Sequence, residues 1–226
     1  MLRRKIKSLL VFCALMSAMF SHLSYSADTA KLNGYLTLPQ AQAKGTNGQV
    51  EIIEFFSYTC PVCFSYETPL AEWAEKNRER IIFKRIPMRI RPEWAPAQKM
   101  YFTLELLDKA DGMHKKVFDA IHQEHSSIKS DEAIFNLIEK LGINRQQFSA
   151  IYFSAAVQTK VKQALQMQSA YQIDQVPLVA IDGRYLTSPA KVSEMVGEEQ
   201  TEVDLQKRSF HILDTLIAQI KSESSR

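Results

Sequence analysis

A chain of 226 residues, 46% hydrophobic and 23% charged, is composed like an ordinary globular protein, with room for one domain carrying an insertion or for two small domains. No internal repeat or low-complexity tract interrupts it. Its formal charge of +3 belongs to the first 26 positions, which hold four of the 28 basic residues and no acid; the remainder sets 24 basic residues against 25 acidic ones, a net of −1, and gives no reason to expect a nucleic-acid partner.

The first segment reads as a targeting sequence. Arg3, Arg4, Lys5 and Lys7 precede an apolar run from Leu9 to Phe20 broken only by Ser17, and Ser24 and Ser26 supply small residues at a cleavage site. Residues 1–26 therefore have the pattern of a secretory signal peptide. The apolar run is shorter than the ~20 residues of a membrane span, so an uncleaved anchor is the weaker alternative. Cys13 lies inside that run behind the bulky Phe12, which argues against a lipoprotein cysteine.

Residues 27–48, with Gly34, Pro39, Gly45 and Gly48, predict a loose lead-in holding one short strand. Gln49 to Ser57 is nearly continuously apolar and rich in β-branched and aromatic residues, the pattern of a strand covered on both faces. Thr59 to about Asn77 predicts a helix carrying Phe64, Leu70, Trp73 and Ala74, with a kink at Pro69. Arg80 to Met88 is a second strand closed by Pro87. This order implies a parallel pair joined by a right-handed crossover.

From Pro92 to about Ala170 no good strand is visible. Leu104 and Leu107 mark one helix, Val117 and Ile121 another. Ser130 is placed to cap a third through Ile134, Leu137, Ile138 and Leu141, with Asp131 and Glu132 in its first turn and Gly142 at its end. Val157, Val161, Ala164 and Leu165 mark a further helix. Strand signals return at Val176 to Ile181, and Asp182-Gly183 before Arg184 to Leu186 predicts a tight hairpin. The chain closes on an amphipathic helix through Leu205, Ile212, Leu213, Leu216, Ile217 and Ile220.

Once Cys13 leaves with the signal segment, Cys60 and Cys63 are the cysteines that remain. Bridging residues three apart closes a very small loop, which suits chemistry better than stapling. Cys60-Pro61-Val62-Cys63 stands where the first long strand hands over to its helix. A sulfur at a helix N-terminus faces unpaired N–H groups and the positive end of the dipole, which favours the reactive thiolate. Cys60 is then the exposed attacking thiol and Cys63 the buried resolving one. A zinc site would need more ligands, and His114, His122 and His125 read as helix-surface residues.

The run IEFFSYTCPVCFSYE, the strand FKRIPM, FDAIHQEHSSI in the helical stretch and QVPLVAIDGRY together resemble the DsbA family of periplasmic disulfide oxidases. The resemblance spans nearly all of the chain after the signal segment. It implies an α/β thioredoxin fold with an inserted all-helical domain: a first thioredoxin part over 27–91, the insertion over 92–170, and a second part over 171–226. It also implies a periplasmic location, a substrate groove beside the cysteines, reduced or unfolded exported proteins as substrates, a redox-active Cys60–Cys63 disulfide with no other cofactor, no metal, and re-oxidation by a membrane quinone reductase of the DsbB type.

Residue by residue, Val176-Pro177 resembles the family's cis-proline step, where Val176 would pair with an extended substrate beside Pro61 and Val62. Glu54 resembles an acid kept beneath the active site; in so apolar a strand its role would be proton exchange with Cys63, the alternative being a carboxylate that reaches solvent at the strand end. The chain departs from the family's best-known dipeptide, Pro-His, in carrying Pro61-Val62, which removes a group able to hold the Cys60 thiolate. Lys84 and Arg85 read as solvated charges, or else as a source of positive potential. Rival readings are an isomerase or reductase of exported disulfides, a non-catalytic peptide-binding chaperone using the same groove, and a glutathione-dependent transferase.

Overall fold

The computed structural model describes residues 34–43, 48–196 and 200–224. The signal-peptide expectation for residues 1–26 lies outside them. Among the described residues, no helix is long and apolar enough to cross a membrane.

Five strands form one mixed sheet in the order β1-β5-β4-β2-β3. The strands are β1 (Tyr35–Thr37), β2 (Val50–Phe56), β3 (Ile81–Pro87), β4 (Leu178–Ile181) and β5 (Tyr185–Thr187). Helix α1 (Pro61–Lys76) connects β2 to β3, which pair in parallel from Val50 opposite Ile81 to Phe56 opposite Pro87. On its other side β2 pairs antiparallel with β4, placing Glu54 opposite Val179. Every residue of β2 is buried because helices cover both faces. Val50 and Ile52 pack with Leu70 and Trp73 of α1 and with Leu213 and Ile217 of the last helix. Ile53 and Phe55 turn the other way, toward Met100, Phe118 and Tyr171. Each large apolar side chain buried this way contributes roughly 1.5–3 kcal/mol, so β2 anchors the sheet from both sides.

Five helices stand between β3 and β4: α2 (Ala95–Leu106), α3 (Ala110–His122), α4 (Asp131–Lys140), α5 (Arg145–Tyr152) and α6 (Ala155–Ala170). Ser130 caps α4 as predicted, accepting from the Ala133 N–H at 3.2 Å. Asn144 and Ser154 cap α5 and α6 in the same way. Helix α5 went unmarked in the sequence because its buried residues are only Phe148 and Tyr152, too few to show a period.

The hairpin forms where predicted, with Asp182 at φ 52° and Gly183 at φ 64°, both left-handed as a two-residue turn requires. A Cβ on Gly183 would lie 2.4 Å from the Gln42 carbonyl oxygen, and the Gly183 carbonyl accepts from the Gln42 N–H at 2.8 Å. Strand β4 begins at Leu178 and not at Val176, because Pro177 has no N–H to give the ladder. A short helix α7 (Pro189–Val196) precedes the last helix, α8 (Glu202–Ser224). The predicted stripe holds over Leu213, Leu216, Ile217 and Ile220, but the first turns of α8 bury Gln206 and Ser209 instead of Leu205.

Candidate active site

Strand β2 ends at Phe56, and Ser57 to Thr59 turn the chain: the Ser57 carbonyl accepts from the Cys60 N–H at 3.1 Å, and the Ser57 and Thr59 hydroxyls meet at 2.8 Å. Cys60 then caps α1. Its backbone is extended, Pro61 takes the first helical position, and its Sγ accepts from the Cys63 N–H at 3.2 Å. Pro at that position costs nothing, since the first N–H of a helix has no partner to lose. Cys60 is half-buried and Cys63 fully buried, both as free thiols. Pro61 and Val62 lie exposed beside them.

This placement splits the two thiols. Cys60 is pulled down to about 7, first by a hydrogen bond from the Cys63 side chain and then by the Cys63 and Val62 N–H groups, against the effects of burial and of Glu54. Cys63 is pushed well above the ordinary thiol range, mainly by burial and by its bond to Cys60. The Val176 carbonyl closes the other side, 3.5 Å from the Cys60 Sγ, and the Val176-Pro177 bond is cis.

Glu54 does not reach solvent: it sits in mid-strand and is fully buried. Its Oε2 accepts from the Arg85 Nε at 3.1 Å, while its Oε1 has no hydrogen-bond partner among the described residues. Burial raises its pKa to about 7; Arg85 opposes the rise and Glu67 adds to it. Its charge acts on both sulfurs, disfavouring their thiolates.

The reading of Arg85 as a solvated charge is corrected. Its side chain is only 11% exposed and reaches Glu54, Glu67 at 4.0 Å and Asp111 at 3.5 Å. The strand pairing puts it directly opposite Glu54, so its charge is spent on two buried carboxylates, Glu54 and Glu67, and on the exposed Asp111. Lys84, one residue before it, is half-exposed and pairs with Glu51 at 2.6 Å.

The reading of the histidines as helix-surface residues is corrected: His125 is exposed but lies beyond the end of α3. His114 is buried, with its Nδ1 3.0 Å from the Tyr58 hydroxyl, and burial followed by the Arg85 charge holds its pKa well below the usual range. His122 places its Nε2 2.9 Å from the Tyr58 carbonyl and stacks on Phe64, with ring centroids 4.8 Å apart and planes at 10°. The signal was present in the sequence: His114, Phe118 and His122 recur every four residues, on one face of α3, and that face packs on the strand-to-helix turn. Tyr58 and Glu67 are site neighbours that the sequence reading did not single out. Among the described residues no cluster of three or more His, Cys, Asp or Glu could hold a metal ion.

A model of the DSBA-like thioredoxin domain matches residues 68–200. The thiol:disulfide interchange protein DsbA of Bordetella pertussis is 35% identical over 155 residues, covering 69% of this chain and 74% of that protein. The protein of the same name from Pseudomonas aeruginosa is 28% identical, covering 75% and 81%. The crystal structure of Pseudomonas aeruginosa DsbA superposes with a TM-score of 0.76 at 24% identity, over 86% of this chain and 95% of that one. The sheet and its intervening helices are thus a thioredoxin-like fold with a helical insertion.

Proposed function

The chain belongs to the DSBA-like thioredoxin domain family, and from that membership we propose that it is a thiol:disulfide oxidoreductase that passes a Cys60–Cys63 disulfide to reduced exported proteins in the periplasm. The observation that carries the reading is the contrast between the two thiols, one pulled down to about 7 and half-buried, the other pushed up and sealed in the core.

The chemistry follows from that contrast. A substrate thiolate attacks the Cys60 Sγ of the oxidised pair, forming a mixed disulfide and breaking the Cys60–Cys63 bond. Cys63 leaves with the electron pair and, being buried where its charge is disfavoured, takes a proton. Glu54 exchanges that proton: its pKa of about 7 lets it give or take one near neutrality, and its Oε1, with no hydrogen-bond partner among the described residues, is available to do so. A second substrate thiolate then attacks the substrate sulfur, and Cys60 departs as the thiolate that the α1 N-terminus stabilises. The substrate leaves with a new disulfide and the protein leaves reduced.

Val176 faces Cys60 across the site, and its backbone suits an extended substrate segment held beside Pro61, Val62 and Pro177. The signal-peptide pattern supports export, and a membrane quinone reductase of the DsbB type would return the pair to the disulfide. No nucleic acid, metal or further cofactor enters the cycle.

Equilibration of the Cys60–Cys63 pair with a glutathione redox buffer tests the proposal. The expected result is a pair that glutathione reduces readily and that oxidises a reduced, unfolded substrate stoichiometrically. A disulfide that resists millimolar glutathione would mark the protein as a reductant instead.

A further inference from the structure

A second concave site lies away from the cysteines. It is a cleft of about 660 Å³ along the free edge of β3, walled by α1 on one side and by α2 and the start of α3 on the other. Among the described residues strand β3 ends the sheet and pairs only with β2. The Arg80 carbonyl and the Met88 N–H bond toward β2, and a parallel ladder alternates, so residues 81, 83, 85 and 87 direct their backbone groups outward. The ends of that edge are already closed. The Ile81 N–H donates to the Asn77 carbonyl, and Gln49 and Gln98 side chains cap the Ile81 and Pro87 carbonyls. The two N–H and two C=O groups of Phe83 and Arg85 are left facing the cleft.

The walls differ in chemistry. On the α1 side Ala71 and Ala74, with Phe83 of β3, form an apolar strip between Glu67 and the Glu75–Arg78 pair. On the opposite side stand Glu105, Asp108 and Asp111. Five carboxylates line the cleft against three cations, a net charge of −2; Arg78 pairs with Glu75, Lys84 with Glu51, Arg85 with Glu54 and Asp111, and Glu105 with Lys160 at 3.0 Å, so the excess negative charge centres on Asp108 and Asp111.

We propose that this cleft binds an extended basic segment of a partner polypeptide by strand addition to β3, with lysine or arginine alternating with apolar residues. A strand rises about 3.3 Å per residue and alternates its side chains between faces. A segment bonded to Phe83 and Arg85 therefore turns every second side chain to the apolar wall and the others to Glu105, Asp108 and Asp111. Main-chain bonds supply the affinity and the two walls select the pattern. The cleft touches the site from behind, through Glu67 and Arg85, but its lining includes none of Cys60, Cys63 and Val176, so a partner held here need not cover them.

The test uses the full-length mature protein and two cysteine-free heptapeptides, one alternating lysine with valine and the other glutamate with valine. Fluorescence anisotropy is expected to show the lysine peptide binding at least about tenfold more tightly, and amide exchange at Phe83 and Arg85 is expected to slow when it binds. Phe83→Pro removes one edge N–H and should abolish binding. The double variant Asp108→Asn with Asp111→Asn should weaken binding severalfold and flatten its salt dependence; it decides the question if the proline variant does not fold. Equal affinity for both peptides, no binding, or slowed exchange confined to the Cys60 and Val176 side would overturn the proposal. So would protection of Phe83 and Arg85 that grows with protein concentration in the absence of peptide, since a second copy would then occupy the edge.

Discussion

At the scale of single residues, the site rests on three groups whose protonation is set by position. In the reduced protein, iodoacetamide should label Cys60 alone, with a rate that rises with pH and reaches half its maximum near 7, where its thiol is held. Mass mapping that finds Cys63 modified first would reverse the assignment. Val62 is 48% exposed beside the sulfur that its N–H helps to hold. Val62→His should therefore lower the Cys60 pKa further while the imidazole is charged, by up to about one unit, and the effect should fade above the histidine pKa. Thiolate absorbance followed from pH 5 to 9 reads this directly, and an unchanged curve would show that the dipeptide does not set the poise. Glu54 gives the opposite sign. Its folded pKa is raised, so the stability linked to it is complete below its unfolded value of 4.5 and is lost as pH climbs through about 7. Glu54→Gln should remove that loss, making denaturant stability flatter between pH 5 and 8 than in the unaltered protein, and should slow thiol exchange at neutral pH.

At the scale of elements, the strands and helices that place the site were legible because each is written in a local code. The continuous apolar run of β2, the Ser130 cap and the Asp182-Gly183 turn all act within a few residues. What the sequence did not disclose depends on contacts far along the chain. Arg85 looks like any surface charge until the parallel register sets it opposite Glu54, and His114 looks exposed until α3 is laid against Phe56 and Tyr58. Glu54 itself was legible as an ionisable group out of place, but its partner was not. The hairpin offers a test at this scale. Gly183→Ala must hold a left-handed φ and drive a methyl into the Gln42 carbonyl, which together cost on the order of 1–3 kcal/mol. The melting temperature should fall by several degrees while the Cys60 titration stays in place, because the turn lies at the far end of β4 from Pro177. A shifted Cys60 titration would mean that the hairpin and the redox pair are coupled.

At the scale of the whole molecule, the two redox forms differ in stability through terms of comparable size, and pH decides between them. The Cys60–Cys63 bond closes a very small loop, which by chain entropy favours the oxidised fold by about 2 kcal/mol at any pH. The reduced fold gains from the Cys60 thiolate. Because the folded pKa of Cys60 lies near 7, below the ordinary thiol value of 9.0, that gain is fully present above the unfolded pKa and is lost as pH falls through about 7. Two units of displacement correspond to ~3 kcal/mol, reduced somewhat by solvent because the sulfur is only half-buried. Glu54 is present in both forms and largely cancels from their difference. The reduced form should therefore gain stability relative to the oxidised form as pH rises from about 6 to about 8.5, by roughly 2 kcal/mol. Parallel thermal denaturation of both forms across that range, with the thiols kept reduced in one series, measures the difference directly. A gap that does not change with pH would mean that the fold gives the Cys60 thiolate no preference, leaving the α1 N-terminus without the part assigned to it in driving disulfide transfer.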